Sequence, residues 1–539
     1  MRPPDGPPPF PTWPTTAFPA GLDAGRERLL ARLLERIGPD GALRDPCRSR
    51  VLESALALAL LNRCGLPCDR VRARLMRFLE HRRRSGDPWD AAVARAALDR
   101  NPEEPLRRRA IEEFIAQAPD FTGSRKRALI HAIWTMLGAA PASSAPGADA
   151  FDLDGLHAWA AVQVTAVKVV EAHAAGHPQP ASADEVALLL STQCPGTVWE
   201  GNLLIHLSVL HALARIPGTD ATVTEGIRTA LLYQRADGGL PFVTDTDTWC
   251  TVTAGLALHT ARAPEHVLHR IASHLVRAQQ SGGGWSYTDR ARLCDTDCTT
   301  VAVEFLHQLD PATYRIPIRR ALAALIQVRG TDGGFPTYGA GTPSEACMTA
   351  AAVNALSTQG HRHHDLIQHA LLFLAGRQRP DGSFPPGWSN SCPHTLFRAH
   401  LAAGRPSLPL PEPVRSMHQR ILHQVCSSQN PDGGFGRQDG AASDAISTAY
   451  ALIVLTGQPD PAPAARASHY LLGRQRPDGG ITSPPDMLGP RPFPYQVPVL
   501  ADIFTLLALG HLTRRTGPHH TLVPCRPHSA SRQDERTAP

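Results

Sequence analysis

The sequence predicts an all-α protein whose larger part is an α/α barrel. Two observations predict this fold. Alanine and leucine dominate while valine, isoleucine and aromatic residues are sparse, which favours helices over sheets. A glycine turn also recurs at a nearly constant interval, which indicates repeated units that bury each other's faces.

The repeated motif consists of two glycines and a hydrophobic residue, usually a few positions after a glutamine. Asp-Gly and Gly-Gly pairs adopt the left-handed backbone of such turns without steric cost. The hydrophobic residues of successive copies are 45, 50, 49, 51 and 46 positions apart. They are Leu240, Trp285, Phe335, Phe384, Phe435 and Ile481, with a degenerate earlier copy at Trp199.

Each period has room for two helices. The turn is followed by a helix of small residues, such as CTVTAGLAL or STAYALIVL, and then by a more apolar helix, such as IRRALAALIQV or HALLFLAGRQ. Small residues on the first helix permit tight curvature, so we expect these helices to form the inner ring of a closed barrel.

We divide the chain into four parts. Residues 1–20 form a disordered, proline-rich leader, and residues 516–539 form a disordered tail. Residues 21–44 and 218–515 build the barrel, with the amphipathic segment GRERLLARLLERIG returning to pack on it. Residues 45–217 are helical without a clean repeat and form an inserted second domain.

Composition excludes several classes of function. The net charge of +5 is small for 539 residues, and no Lys/Arg stripe supports nucleic-acid binding. The eleven cysteines include no CxxC pair, which favours a reducing cytosol. The start lacks the apolar segment of a signal peptide, and no run of 18 apolar residues predicts a membrane span. We expect a cytoplasmic monomer or homodimer.

Two aspartates stand at the start of a predicted inner helix, in LCDTDCTTVAVEFL. Asp295 and Asp297 cannot both ionise cheaply, so one pKa is expected to rise. A neutral carboxylic acid in an apolar cavity can protonate an alkene. The helix N-terminus acts against this, because it favours the anion, and the alternative is that both aspartates simply cap the helix.

The preceding repeat reads DTDTWCTVTAGLAL. Aligned on the shared Cys-Thr, Asp247 matches Asp295 and Trp249 matches Asp297. Trp249 therefore either faces the same cavity as the acid or belongs to the core.

These features resemble the squalene–hopene cyclases and the class II diterpene cyclases. The glycine turns are similar to their QW-type motifs over residues 201–512, and DTDCTT is similar to their acid motif, Asp-x-Asp-Asp, and to its bacterial variant Asp-x-Asp-Thr-Thr. The resemblance implies that Asp297 is the general acid and that Asp295 orients it. The chain departs from the motif at Cys298, where the family has a third acidic residue.

The resemblance also implies a substrate and a cofactor. With no DDxxD motif, cyclisation starts by protonation and retains the diphosphate of geranylgeranyl or farnesyl diphosphate, giving a bicyclic product. Mg²⁺ would assist binding near an N-terminal acid, for which Glu53 with Arg50 is the candidate; the alternative is an exposed ion pair. Lys168, in the apolar segment VQVTAVKVV, either contacts the diphosphate or extends to solvent.

Aromatic faces would stabilise the carbocations. The phenylalanines of the glycine turns are better explained as turn anchors. His394 and Tyr338 are candidates for the terminal base, and neither is assigned. The candidate cavity aromatics are Trp249, Trp285, Tyr287, Tyr338, Trp388 and Tyr495.

Three other functions fit parts of the pattern. A zinc-dependent protein prenyltransferase β-like subunit would use Asp297 and Cys298 with a histidine cluster at His361, His363 and His364. A non-catalytic isoprenoid-binding barrel would use the aspartates only as caps. A triterpene cyclase would be longer and carry an apolar membrane-docking segment, which we do not find.

Overall fold

The computed structural model describes residues 12–99, 111–112, 114–116, 122–139, 146–404 and 409–516. Helices joined by loops dominate it, which confirms the predicted all-α class. Within these ranges, no helix is both long and apolar enough to cross a lipid bilayer. Two short antiparallel ribbons pair β1 (Ser49–Arg50) with β2 (Leu240–Pro241) and β3 (Met487–Leu488) with β4 (Pro494–Tyr495).

The α-helices are listed here in chain order. The first ten are α1 (Leu22–Arg36), α2 (Val51–Cys64), α3 (Asp69–Arg82), α4 (Pro88–Asp99), α5 (Gly123–Met136), α6 (Ala158–Ala174), α7 (Ala183–Ser191), α8 (Leu203–Leu213), α9 (Asp220–Leu231) and α10 (Asp247–Thr260). The others are α11 (Glu265–Ala278), α12 (Thr296–Leu309), α13 (Arg315–Val328), α14 (Ala346–Leu356), α15 (His364–Arg377), α16 (Cys392–Gly404), α17 (Glu412–Ser427), α18 (Ala445–Leu455), α19 (Ala462–Gly473) and α20 (Val499–Thr516).

The even-numbered helices from α10 to α20 form the inner ring of a barrel. Each packs against the next, and α20 packs against α10, so the ring closes as predicted. Small residues allow this close approach. At Gly255 of α10, an added Cβ would lie 3.0 Å from the ring of Phe305 on α12.

The odd-numbered helices from α11 to α19 lie outside the ring. Helix α11 shows why: its buried residues, Val267, Leu268, Ile271, Ala272 and Leu275, form one apolar stripe of helical period, and the other positions are mostly polar. Helix α1 packs against α20, with further contacts to α10 and α19, and so occupies the remaining outer position.

The glycine turns dock each repeat onto the next outer helix. Gln279 donates from Nε2 to the carbonyl of Gly283 in its own turn (2.7 Å) and to that of Pro317 in α13 (2.9 Å). Gly283 has φ +95°, and an added Cβ would lie 2.6 Å from the carbonyl oxygen of Arg320. The turn therefore requires both the glutamine and the glycine.

The N-terminal segment contains a copy of this turn that sequence reasoning missed. In PDGAL, Gly41 has φ +92° and lies against the Arg270 carbonyl of α11, while the Leu43 N–H donates to the Thr251 hydroxyl of α10 (2.9 Å). Trp285 makes the corresponding bond to Thr299 of α12 (3.0 Å). This distant copy and α1 join the last repeat to the first.

Helices α2 to α9 form a second body beside the barrel. Helix α8 packs against α6 and α2, and α9 packs against α8 and α2. The boundary predicted after Pro217 therefore lies inside this body, because α9 follows it. The turn at Gly238 faces the Arg74 carbonyl of α3, 2.6 Å from an added Cβ, so this copy contacts the second body.

The predicted disordered leader is wrong for residues 12–20. Trp13 is buried, its backbone N–H donates to the Arg515 carbonyl (2.9 Å), and its indole N–H donates to the Pro459 carbonyl (3.0 Å). Phe18 is buried beside it. The remainder of the predicted leader, and the predicted tail beyond Thr516, lie outside the described residues.

Candidate active site

A cavity of about 460 Å³ lies between the start of the inner helices and the second body. This volume falls in the range of about 300–1,000 Å³ that is usual for ligand sites. The barrel contributes Asp295, Asp297 and Trp249, and α5 and α6 contribute Lys126 and Trp159. The cavity is thus apolar and aromatic, with a few polar groups.

Asp295 is the N-cap of α12. Its Oδ1 accepts the Cys298 N–H at 2.6 Å, so the capping interpretation is correct for this residue. Burial raises the pKa of Asp295 to about 7 despite that hydrogen bond, and the negative charge of Asp297 adds to the increase. Its carboxyl group also forms part of the cavity wall.

Asp297 belongs to the first turn of α12 and is not its cap. Its side chain lines the cavity, and its Oδ1 lies 2.7 Å from the Arg398 guanidinium of α16. Burial raises the pKa of Asp297, while the Arg398 charge acts in the opposite direction and Glu345 adds to the rise. The carboxyl can therefore hold a proton in an apolar site, and the anion left after its transfer has a cationic partner.

Arg398 is a site residue that sequence reasoning missed. It is buried behind Asp297, with its Nε 3.3 Å from His394 Nε2 and its guanidinium 5.9 Å from the Trp249 ring. Its segment, LFRAHLAAG, carries no motif. The signal was a cation within a small-residue inner helix, since a buried charge requires a partner.

The cavity aromatics form a continuous wall. Trp159 of the second body lies edge-on to Tyr287 at 5.6 Å and 5.2 Å from Tyr338, which in turn meets Trp388 at 5.8 Å. Such rings present electron-rich faces to a cation. Five of the six aromatic residues predicted from sequence line the cavity: Trp249, Tyr287, Tyr338, Trp388 and Tyr495.

The sixth, Trp285, does not line it. Trp285 is fully buried, and its indole N–H donates to the Leu275 carbonyl at 2.8 Å. It anchors its glycine turn, as Phe335 does in the following repeat, where the backbone N–H donates to Thr349 of α14. The prediction of a cavity role is therefore wrong.

Arg50 and Glu53 form a buried ion pair. Arg50 Nε and Nη2 lie 2.8 and 2.5 Å from the two Glu53 carboxylate oxygens, and Nη1 donates to the Gly489 carbonyl. The Arg50 guanidinium stacks 4.3 Å from Phe242, and neither charged group lines the cavity. The predicted diphosphate and magnesium roles do not fit this position, and the pair is not exposed either.

Lys168 also lies away from the cavity. Its Nζ is 2.5 Å from the Glu185 carboxylate of α7, and 44% of its side-chain surface is exposed. The face of α6 that meets the cavity carries Gln163, Val164 and Val167 instead. The prediction of diphosphate contact is wrong, because the helix directs Lys168 to solvent.

A group of cations also lines the cavity, and one of them, Arg491, stacks 4.3 Å from the ring of Trp388 in the aromatic wall. Arg125 and Lys126 come from α5, and Arg491 from the loop between β3 and β4. Burial, together with the smaller effect of the Arg491 and Arg125 charges, lowers the pKa of Lys126 to about 7. Arg491 is also paired with Glu345 at 2.6 Å. Sequence reasoning missed this group, although Lys126 is one of only two lysines and stands in the basic run SRKR.

The two candidates for the terminal base differ in their position relative to the cavity. His394 lies inside α16, not in a loop, and does not line the cavity, whereas Tyr338 does.

His361 and His363 belong to the 3₁₀ turn Ser357–His363 and His364 begins α15, and none of the three lines the cavity with Asp297. Over the described part of the chain, no three His, Cys, Asp or Glu side chains are grouped as a metal ion requires.

Known proteins resemble this chain over most of its length. A family model described as a prenyltransferase alpha-alpha toroid domain matches residues 203–390 and 410–483. The chain is 39% identical over 520 residues to drimenyl diphosphate synthase of Streptantibioticus cattleyicolor, covering 92% of this chain and 96% of that protein. It is 37% identical over 527 residues to drimenyl diphosphate synthase of Streptomyces showdoensis, covering 95% and 98%.

A solved structure matches over nearly the same length. Ent-copalyl diphosphate synthase from Streptomyces platensis superposes with a TM-score of 0.62, covering 91% of this chain and 99% of that one. At 18% identity, this match supports the fold alone.

Proposed function

Since the chain belongs to the class II terpene cyclases, with drimenyl diphosphate synthases as relatives, we propose that it cyclises farnesyl diphosphate to a bicyclic drimane-type diphosphate. The observation that carries the chemistry is the Asp297 carboxyl, whose side chain is only 15% exposed, on the wall of an aromatic cavity and paired with Arg398. The relatives' drimane skeleton has fifteen carbons, which favours the farnesyl over the geranylgeranyl chain.

The first step is proton transfer from the Asp297 carboxyl to the terminal alkene. The alkene electron pair forms the new C–H bond and leaves a tertiary carbocation. Attack by the next two double bonds closes two rings, and loss of one proton from carbon restores an alkene. The Asp297 carboxylate left behind is stabilised by the guanidinium 2.7 Å away.

The cations must survive until the second ring has closed. Aromatic faces stabilise them by cation–π attraction, and a dry cavity keeps water from capturing them. The wall formed by Trp159, Tyr287, Tyr338 and Trp388 supports both functions.

We place the diphosphate at Arg125, Lys126 and Arg491. Guanidinium groups bind phosphate oxygens in pairs, and an ammonium group acts as a compact charge. A bound diphosphate would also raise the lowered pKa of Lys126. The isoprenoid tail then extends toward Asp297, which orients the chain for protonation at the end remote from the diphosphate.

Mg²⁺ is proposed to enter with the substrate. Glu53 does not fit it, because Arg50 engages both carboxylate oxygens. Mg²⁺ is usually held by one or two carboxylates together with substrate phosphates and water. Asp154 lines the cavity and is the candidate carboxylate for the ion. It lies in the same loop as His157, whose pKa is lowered to about 4 by burial and by the Arg125 charge. The ion would supply charge neutralisation of the diphosphate.

The test is incubation of the full chain with Mg²⁺ and each prenyl diphosphate, then phosphatase treatment and mass spectrometry. We expect a bicyclic C15 alcohol from farnesyl diphosphate, and only linear farnesol from Asp297→Asn. Unchanged farnesol and geranylgeraniol from the wild-type protein would refute the proposal.

A further inference from the structure

Glu200 has an unusual backbone between the two bodies. It lies in the 3₁₀ turn Trp199–Gly201 with φ +53° and ψ 17°, in the left-handed region. In the described part of the chain, Arg262 is the other non-glycine residue with positive φ. Strain of this kind at a non-glycine residue is concentrated at functional sites.

The Glu200 carboxylate collects three donors on one oxygen. Oε2 accepts the indole N–H of Trp159 at 2.8 Å and the backbone N–H groups of Arg292 and Leu293 at 2.7 and 3.3 Å. Trp159 belongs to the second body, whereas Arg292 and Leu293 lead directly to Asp295. One carboxylate oxygen therefore connects the aromatic wall to the loop that leads into α12, the helix that carries Asp297.

The main chain of Glu200 continues this connection. Its carbonyl accepts the Tyr287 hydroxyl at 2.6 Å, and the Tyr287 carbonyl accepts the backbone N–H of Trp249 at 3.1 Å. Trp159, Tyr287 and Trp249 all line the cavity, whereas Glu200 itself does not. A glycine would adopt the same backbone without strain, but it would supply no carboxylate.

We infer that Glu200 is a positioning residue that sets the aromatic wall relative to the acid and so determines how far cyclisation proceeds. This inference rests on the proposed cyclase function. The left-handed backbone directs the carboxylate at donors from both bodies at once. Without the carboxylate, Trp159 and the loop of residues 290–295 can shift independently, and the cavity opens to water.

The chemical consequence is early termination. A monocyclic cation in a wetter or misaligned cavity either loses a proton to water or is captured. In capture, a water lone pair forms the C–O bond and one proton passes to solvent, giving an alcohol. Both routes leave the diphosphate intact.

The variants Glu200→Gly, Glu200→Ala and Glu200→Gln distinguish the effect of losing the carboxylate from the effect of relieving the backbone strain. Glu200→Gly relieves the backbone while removing the carboxylate, and Glu200→Gln retains an oxygen that can accept the same donors. Arg262→Gly is the matched control for relief of strain elsewhere. With farnesyl diphosphate, we expect kcat to fall about 10- to 100-fold in the glycine and alanine variants, since small misplacements cost this much.

In those two variants, monocyclic and hydroxylated products should become a major fraction, while KM changes by less than about threefold, because the hydrogen-bond partners of Glu200 are not the cations proposed to bind the diphosphate. Glu200→Gln should keep the wild-type product, and Arg262→Gly should keep both rate and product. Wild-type rate and product in Glu200→Gly would overturn the inference.

A second measurement does not depend on activity. Hydrogen exchange of the free protein should be faster at the Arg292 and Leu293 amides in Glu200→Gly than in wild type or Glu200→Gln, because their shared acceptor is lost. Unchanged exchange would refute the positioning role even if the wild type proved inactive, whereas an inactive wild type with altered exchange would count against only the proposed function.

Discussion

The Arg398 guanidinium lies 2.7 Å from Oδ1 of Asp297, with both side chains largely removed from solvent. Two opposing effects meet in this pair. Burial raises the pKa of the Asp297 carboxyl, so that it holds a proton, and the arginine stabilises the carboxylate formed when the proton leaves. An acid that only resisted ionisation would be a poor proton donor.

Asp297→Asn should abolish cyclisation while leaving the fold intact. The amide has the same shape but no transferable proton, so we expect kcat to fall by at least about 10²- to 10⁴-fold. Thermal unfolding should show a retained cooperative transition, and product analysis should show linear alcohol only.

Asp295 provides the comparison for that variant. Asparagine caps helices about as well as aspartate, so Asp295→Asn should keep the Cys298 contact and the stability, whereas Asp295→Ala should lose about 0.5–2 kcal/mol. Equal loss of activity in Asp295→Asn and Asp297→Asn would assign the acid to the pair and not to Asp297.

Arg398→Gln should shift the pH profile and lower its maximum. Activity requires protonated Asp297, so kcat should fall as pH rises through the pKa of the acid. Removing the opposite charge raises that pKa further and moves the alkaline limb to higher pH. The maximum should drop because the product carboxylate loses its partner. Measurement of kcat from pH 5.5 to 9 checks both, and an unshifted limb would count against the pairing.

Lys126→Ala and Lys168→Ala form a matched pair of lysine substitutions. Lys126 lines the cavity among cations, so its loss should raise KM for farnesyl diphosphate by about tenfold or more, corresponding to a charge-assisted contact. Lys168 is paired with Glu185 away from the cavity, so its loss should change KM by less than about twofold. Steady-state kinetics at fixed Mg²⁺ would measure both KM values. If the diphosphate bound beside Lys168 on α6, Lys168→Ala would raise KM more than Lys126→Ala.

The buried carboxyl groups with raised pKa should make a contribution to the free energy of unfolding that decreases between about pH 4 and pH 7, opposite in sign to the contribution of buried histidines with lowered pKa such as His211 and His400. Burial raises the pKa of Asp295, Asp247 and Asp486 from 3.8 to about 7 each. Their folded-state pKa exceeds the unfolded one, so their contribution is complete below the unfolded pKa and is lost as pH rises through the folded pKa. The free energy of unfolding of Asp486→Asn relative to wild type should be higher at pH 8 than at pH 5, as urea unfolding at the two pH values would show. A difference between variant and wild type that is equal at the two pH values, or smaller at pH 8, would contradict the assignment.

The sequence was sufficient for the repeat and for the position of the acid. Glycine turns and helical periodicity are local patterns, and each turn is followed by a loop and then by an inner helix. Asp297 could therefore be placed at the start of an inner helix. The PDGAL copy at Gly41 was missed because about 200 residues separate it from the others.

The partners of the acid could not be read in this way. Arg398 and Asp297 lie on different inner helices about a hundred residues apart, and Lys126 comes from the second body. Local pattern does not encode which face of a helix meets another body. For the same reason, Lys168 was chosen over Lys126, and Trp285 was grouped with the cavity aromatics.

The sequence alone determined an all-α repeat protein with one acid at the head of an inner helix, because turn chemistry and apolar period act over a few residues. Only the tertiary structure decided which cations, aromatic rings and carboxylates surround that acid. Those contacts depend on ring closure and on packing of the second body against the barrel, and both join residues far apart in the chain.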